Sequence, residues 1–208
     1  MESPLEIADP NFLALLTGRA LAIFDAVCGD AGELRLPWLH LENRPPLRLL
    51  LTLAFLCRRR GEDGRARALF ERLLALNPDD NHGLRAILMD VYLRAGEDPR
   101  ALAIAAAYPD DVHAELAYGR VLALYRLGRR GEALTAFAEA YRSLPLVADY
   151  LTEKKRKLPR LLPEGIRIGG ADQAWVYHQE TGDLWREVPG LLDWMKAAHW
   201  GLAKRGRR

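Results

Sequence analysis

Apolar residues recur at helical spacing along most of the chain, most clearly between residues 47 and 78. Ala66, Phe70 and Leu73 lie at positions i, i+4 and i+7, so they share one helical face. A similar stripe lies upstream and consists of Leu50, Leu53, Ala54 and Cys57. Gly61 separates the two stripes, and Asn77-Pro78 ends the second, because the residue before a proline is disfavoured in the α region. The pattern therefore predicts two helices, residues 47–60 and 63–76, joined by a turn.

The same pattern of helix, turn and helix returns twice. The second repeat begins at Asn81, and its second helix, residues 98–107, is ended early by Tyr108-Pro109. The third repeat covers residues 112–145, with Gly128, Ala133, Phe137, Ala140 and Pro145 at the expected positions. Arg120 occupies a position where a large apolar residue is usual, which indicates either disturbed packing or a buried ionic contact.

The segments that flank the repeats predict helical caps. An amphipathic helix is expected over residues 11–27, with a break at 29–32 and an irregular segment or short helix at 34–41. After Pro145 we expect a helix from residue 147, and two further helices over residues 171–178 and 188–200, separated by Thr181-Gly182. Three tryptophans of this region are expected to be mostly buried in a cap on the array rather than to form a ligand cage: Trp175, Trp185 and Trp194. The tail, residues 203–208, is predicted to be disordered.

The repeats resemble the 34-residue tetratricopeptide pattern, which combines large and small apolar positions, a glycine, Ala-x-x-x-Phe and a closing proline. Cys57 and Leu73 depart from it, since tyrosine and alanine are usual there. ENRPPLR (42–48), LNPDDNHGLR (76–85) and the stretch at 147–151 resemble, more narrowly, bacterial relatives of the suppressor-of-tumorigenicity-seven family. The resemblance implies an all-α fold, a short tetratricopeptide-like helical solenoid of about three degenerate repeats with N- and C-terminal helical caps. The expected division is 1–46 (cap), 47–145 (repeats) and 146–208 (Trp-rich cap and basic tail).

Composition and charge restrict the cellular location that we expect for the protein. The 208 residues carry a formal net charge of +2, which requires neither an acidic partner nor a membrane surface. No apolar run approaches the roughly 18–20 residues of a membrane span, and Glu2 and Glu6 stand where a secretory signal would be basic. Cys28 and Cys57 lie within apolar helical patterns and are expected to be reduced core thiols. We therefore expect a cytoplasmic protein, and the Leu-, Ala- and Arg-rich composition suits a GC-rich bacterial genome.

Nothing in the sequence forms a catalytic or metal-binding pattern. The five histidines are scattered, and neither a metal-ligand spacing nor a nucleophile elbow is present. Asp79-Asp80-Asn81 is better explained as a helix N-cap than as a divalent-cation site. If the protein were an enzyme, Arg120 near Glu115 would be the candidate site. No reaction can be named for these two residues. The sequence predicts no enzyme, no cofactor and no metal.

The inner face of the repeats is the predicted binding site. First helices line the concave side of a tetratricopeptide array, and arginines beside aromatic and Met side chains are typical of recognition surfaces. The predicted partner-binding residues are Arg48, Phe55, Arg58, Arg85, Met89, Tyr92, Tyr118 and Tyr125. Alternatively, this face meets the N- or C-terminal helices.

Two functional hypotheses follow. The first is a protein–protein interaction scaffold that binds a peptide or partner protein in the groove, with homo-oligomers left open. The second is weak nucleic-acid binding through Lys154, Lys155 and Lys157 and the basic tail, residues 204–208.

Overall fold

The computed structural model describes residues 10–28, 34–152, 157–161 and 165–205. Within these ranges the regular secondary structure is helical, with no β-strand, which confirms the predicted all-α helical-repeat fold. Besides a 3₁₀ turn at Leu41–Asn43, the helices are α1 (Pro10–Cys28), α2 (Arg44–Arg59), α3 (Asp63–Leu76), α4 (Leu84–Arg94), α5 (Asp98–Ala107), α6 (Ala114–Arg126), α7 (Arg130–Ser143), α8 (Pro145–Thr152), α9 (Ala171–Glu187) and α10 (Leu191–Arg205). The chain divides into two compact units, Met1–Leu84 and Arg85–Arg208. The sequence-based division into cap, repeats and cap stays a prediction.

Three helix pairs, α2–α3, α4–α5 and α6–α7, share one turn geometry. After each first helix a glycine adopts a left-handed conformation, with φ of 74° at Gly61, 71° at Gly96 and 74° at Gly128. The N–H of the next residue then donates to the carbonyl oxygen five residues earlier, at 2.9, 2.8 and 3.0 Å respectively. This is the Schellman arrangement, which satisfies the free carbonyl groups at a helix end.

The second helices of the three pairs also end alike. Asn77, Tyr108 and Leu144 each precede a proline and adopt φ between −128° and −134°. Because proline forces its predecessor out of the α region, each helix ends at this point. The early Tyr108-Pro109 leaves α5 with 10 residues, whereas α3 and α7 each have 14.

The core of the Met1–Leu84 unit lies between α2 and α3. Phe70 and Leu73 are fully buried there against the apolar face of α2. An irregular segment before α2 closes the end of α3, since the Leu36 N–H donates to the Leu76 carbonyl oxygen at 2.7 Å. The Trp38 N–H donates to Asn77 Oδ1 at 3.3 Å. The segment predicted as irregular or as a short helix therefore supplies partners for the helix terminus.

The Arg85–Arg208 unit brings α4 and α6 into close contact at Gly119. A Cβ atom built on Gly119 would lie 2.7 Å from both Cγ and Sδ of Met89 and 3.3 Å from Cδ1 of Leu93. Any side chain at this position would require Met89 to move. Glycine here therefore sets the distance between the first helices of the second and third repeats.

The C-terminal region differs from the prediction in that α9 is one continuous helix. Thr181-Gly182, expected to separate two helices, lies in its middle, and both residues are buried. The Thr181 hydroxyl donates to the Tyr177 carbonyl oxygen at 2.7 Å, so the buried hydroxyl has a partner within the continuous helix. The turn falls later, at Gly190, whose φ is 74°. Burial of this helix face outweighs the roughly 1 kcal/mol that glycine costs in a helix interior.

The structure also differs from two smaller predictions. Arg120 is exposed and pairs with Glu139 of α7, Nη1 to Oε2, at 2.9 Å, so a buried ionic contact is wrong. Helix α10 continues to Arg205, which includes the first half of the tail predicted to be disordered. Residues 29–32 and 206–208 lie outside the described residues.

Candidate partner-binding surfaces

The eight predicted partner-binding residues fall into three classes of exposure. Arg48 and Arg58 of α2 are exposed, and Phe55 is 39% exposed. Arg85 is partly buried. The remaining four are at most 7% exposed: Met89, Tyr92, Tyr118 and Tyr125. The predicted inner face is therefore open on α2 and closed on α4 and α6.

Helix α9 covers the inner face of α6. The ring centroid of Tyr118 lies 6.1 Å from that of Tyr177 and 6.2 Å from that of Trp185, and all three residues are at most 2% exposed. The Tyr118 hydroxyl donates to the Leu144 carbonyl oxygen at 2.8 Å, which gives the buried polar atom a partner. Burial raises the pKa of Tyr118, so this side chain is a neutral core residue.

Helix α10 covers α6 about two turns farther on, at Tyr125. The Tyr125 ring centroid lies 3.3 Å from the Arg130 guanidinium carbon and 5.1 Å from the ring centroid of Trp194 on α10. Farther along α10, His199 Nε2 lies 2.8 Å from the Tyr141 hydroxyl of α7. These contacts fix α10 against the third repeat.

An ion pair attaches α9 to α4. Arg94 Nη1 lies 2.7 Å from Asp183 Oδ2, and Nη2 lies 3.4 Å from Oδ1, so the guanidinium contacts both carboxylate oxygens. The hydrogen bond from Arg94 is the main cause that lowers the pKa of Asp183. A bidentate pair of this kind fixes orientation as well as distance.

The C-terminal helices thus fold onto the inner faces of α4 and α6. This was the alternative that the sequence left open for these faces. Trp185 is fully buried, whereas Trp175 and Trp194 are partly buried. Buried side chains offer no surface to a partner, so Met89, Tyr92, Tyr118 and Tyr125 belong to the core of this unit.

Arg85 has a structural role that the sequence did not indicate. Its guanidinium forms an ion pair with Asp111, whose side chain is only 2% exposed, and lies 5.2 Å from the Tyr108 ring centroid. The N–H of His113 also donates to Asp111 Oδ1 at 2.7 Å. Burial alone would raise the pKa of Asp111, but these hydrogen bonds and the nearby guanidinium outweigh it, and the pKa is lowered. Arg85 therefore fastens α4 to the loop before α6.

The part of the predicted face that remains open lies in the Met1–Leu84 unit. We call it the α2 surface, formed by Trp38, Arg48, Phe55 and Arg58. The Arg48 guanidinium lies 5.4 Å from the Trp38 ring centroid, and the Phe55 ring packs edge-on against Phe70 with centroids 5.3 Å apart. Trp38 was missing from the sequence-based set; a lone tryptophan after Pro37 was the available signal. The surface extends about 15 Å along the helix, at 1.5 Å per residue.

Positive charge dominates this helix. Helix α2 contains four arginines and no acidic residue. Within the described part of the chain, Arg48 has no carboxylate partner. His82, whose ring centroid is 4.6 Å from that of Trp38, has its pKa lowered chiefly by burial, so it adds no charge at neutral pH. This surface offers a guanidinium for carboxylates beside the exposed ring of Phe55 and the partly buried ring of Trp38.

Other kinds of site have little support in the described residues. They contain no cluster of three or more His, Cys, Asp or Glu side chains with the geometry to hold a metal ion. Nor does any helix among them combine the length and apolarity needed to cross a membrane. Lys154 and Lys155 of the basic run lie outside the described residues, and Lys157 is exposed.

Comparison with known proteins gives one result. The family model for the tetratricopeptide repeat matches residues 47–87, which begins within α2 and reaches α4. The match supports a tetratricopeptide-repeat protein, and such repeats generally mediate protein–protein interactions in non-enzymatic scaffolds. No curated protein and no solved structure matches the chain. The narrower resemblance to the suppressor-of-tumorigenicity-seven relatives stays a prediction.

Proposed function

We propose that this protein is a non-enzymatic interaction scaffold that binds a peptide or partner protein through the α2 surface. The observation that carries the proposal is the exposure of Arg48, Phe55 and Arg58 on a helix without acidic residues. In contrast to the inner positions of α6, all three side chains are exposed. The preferred partner segment carries carboxylates beside an apolar anchor, because a guanidinium and an aromatic ring then both find a complement.

The narrower family resemblance is part of this proposal and adds no biochemical activity to it. Arg and aromatic residues are typical hot spots, whose truncation costs about 2 kcal/mol or more. At 1.4 kcal/mol per tenfold, this corresponds to binding weakened by about 30-fold.

A matched pair of variants tests the α2 surface. Partners that co-purify with the wild type from the source cells are compared with those of an Arg48→Glu/Phe55→Ala variant. The control is Arg142→Glu/Leu134→Ala, which alters an exposed arginine and an exposed apolar residue of α7, outside the α2 surface. We expect partners to be lost only from the first variant. Equal recovery by both folded variants would reject the α2 surface.

A further inference from the structure

A cleft of about 730 Å³ lies between α5 and α7, above the outer face of α6. It exists because α5 ends at Ala107, roughly one helical turn shorter than α7. The missing turn leaves part of α6 and the C-terminal half of α7 without a neighbour on the side that faces α5. The volume is within the range of about 300–1,000 Å³ that is usual for ligand pockets in proteins.

Small side chains form the floor of this cleft. Alanines from all three helices line it, among them Ala106 of α5, Ala117 of α6 and Ala140 of α7. Two large apolar residues at its rim remain exposed, Val112 by 50% and Ile168 by 58%. The alanine floor and these two side chains together offer an apolar surface that an apolar side chain of a partner can contact.

The arginines that line the cleft are paired with glutamates, whereas one aspartate has no cationic partner among the described residues. Arg120 pairs with Glu139 at 2.9 Å, and Arg129 Nε pairs with Glu132 Oε1 at 2.7 Å. Asp110 lines the cleft, is exposed, and has no cationic partner in the described part of the chain.

The helix ends do not decide which charge the cleft prefers. Consecutive helices joined by short loops run antiparallel, so the C-terminal ends of α5 and α7 lie at the same end of the cleft as Asp110, together with the N-terminal end of α6. Helix C-termini and N-termini carry partial charges of opposite sign. The carboxylate of Asp110 is therefore the group that favours a cation at this end.

We propose that the cleft between α5 and α7 binds a short segment of a partner protein that combines apolar side chains with a lysine or arginine. The apolar side chains occupy the alanine-lined floor and contact Val112 and Ile168. The basic side chain lies at the Asp110 end, where it forms an ion pair with the carboxylate. This site is separate from the α2 surface and accepts the opposite charge.

The test uses random dodecapeptides displayed on phage and selected on the immobilised full chain. Selected peptides are synthesised with a fluorophore, and their affinities are measured by fluorescence polarisation. The binding variants are Ala106→Trp, which fills the cleft from an exposed position, and Asp110→Lys. Their controls are Ala103→Trp, an exposed alanine of α5 outside the cleft, and Asp79→Lys, an exposed aspartate of the other unit.

We expect enriched peptides with apolar residues and a lysine or arginine. Ala106→Trp and Asp110→Lys should each weaken their binding at least about tenfold, and the two controls less than about twofold. Failure to enrich such peptides, or equal binding by Ala106→Trp and Ala103→Trp, would overturn the proposal. Peptides lost on Arg48→Glu alone would also overturn it while supporting the α2 surface.

Discussion

Replacement of Trp185 by alanine tests whether the C-terminal helices are part of the repeat core. Trp185 is fully buried on α9, and its ring centroid lies 6.2 Å from that of Tyr118 on α6. Its Nε1–H donates to the Tyr177 hydroxyl at 3.2 Å. The substitution removes the ring, leaves a cavity against α6 and takes a hydrogen-bond partner from a buried hydroxyl group.

The expected loss is large relative to the stability of a domain. A buried Trp→Ala change costs about 3–5 kcal/mol in free energy of unfolding, out of a total of about 5–15 kcal/mol. For a chain of this length each kcal/mol shifts the Tm by about 2–4 °C. Trp185→Ala should therefore lower the Tm by about 6–20 °C.

Trp175→Ala is the matched control, because it removes the same residue type from the same helix. Trp175 is only partly buried, and its ring contacts Tyr150 edge-on with centroids 6.3 Å apart. Thermal and urea unfolding followed by far-ultraviolet circular dichroism should show less than half the loss seen for Trp185→Ala. Similar losses in both variants, or a shift under about 2 °C for Trp185→Ala, would refute the assignment of α9 to the core.

Three further predictions concern the Arg85–Arg208 unit. Because the folded-state pKa of Asp111 is lowered, its contribution is present above the ordinary carboxyl pKa of about 4 and is lost as pH falls below it. Asp111→Asn, which leaves Arg85 without its carboxylate, should thus cost about 1.5–3 kcal/mol at neutral pH and progressively less in acid, as urea unfolding at several pH values would show. Arg120→Ala should change the free energy of unfolding by less than about 1 kcal/mol, because its ion pair is exposed; a larger loss would contradict this. Gly119→Val should cost about 1–3 kcal/mol through overpacking, and Met89→Ala in the same chain should recover part of it, a coupling that a double-mutant cycle measures.

The helices of the repeats could be predicted closely, because local chemistry sets their ends. The expected ranges 63–76 and 98–107 coincide with α3 and α5. In both cases a proline follows the helix by two residues and restricts the backbone of the residue before it. Glycines in the left-handed conformation mark the turns equally clearly. Such signals depend on a few neighbouring residues, so one sequence is sufficient to detect them.

The course of α9 could not be predicted in this way. Thr181-Gly182 suggests a break when only helix propensity is considered, yet the tertiary burial of Tyr177 and Trp185 keeps the helix continuous. The hydrophobic effect is non-directional, so an apolar inner face on α6 suits a partner peptide and a helix of the same chain equally well. Periodicity alone therefore could not decide whether Tyr118 is a binding residue or a core residue.

The charged residues at the inner positions would have distinguished exposed from covered helix faces better than the apolar pattern did. Charged side chains are almost never fully buried unless they are paired, and the inner positions of α2 begin and end with the arginines Arg48 and Arg58. The corresponding positions of α6 hold two tyrosines and one charged residue, Glu115. Covering that face therefore costs less free energy of desolvation. Covering α6 does disfavour the charged form of Glu115, because burial is the main cause that raises the pKa of this residue. A helix that covered α2 in the same way would have to bury two guanidinium groups. The two exposed arginines therefore raise the free-energy cost of covering α2 with an apolar helix, and under the proposed function they favour an acidic partner segment.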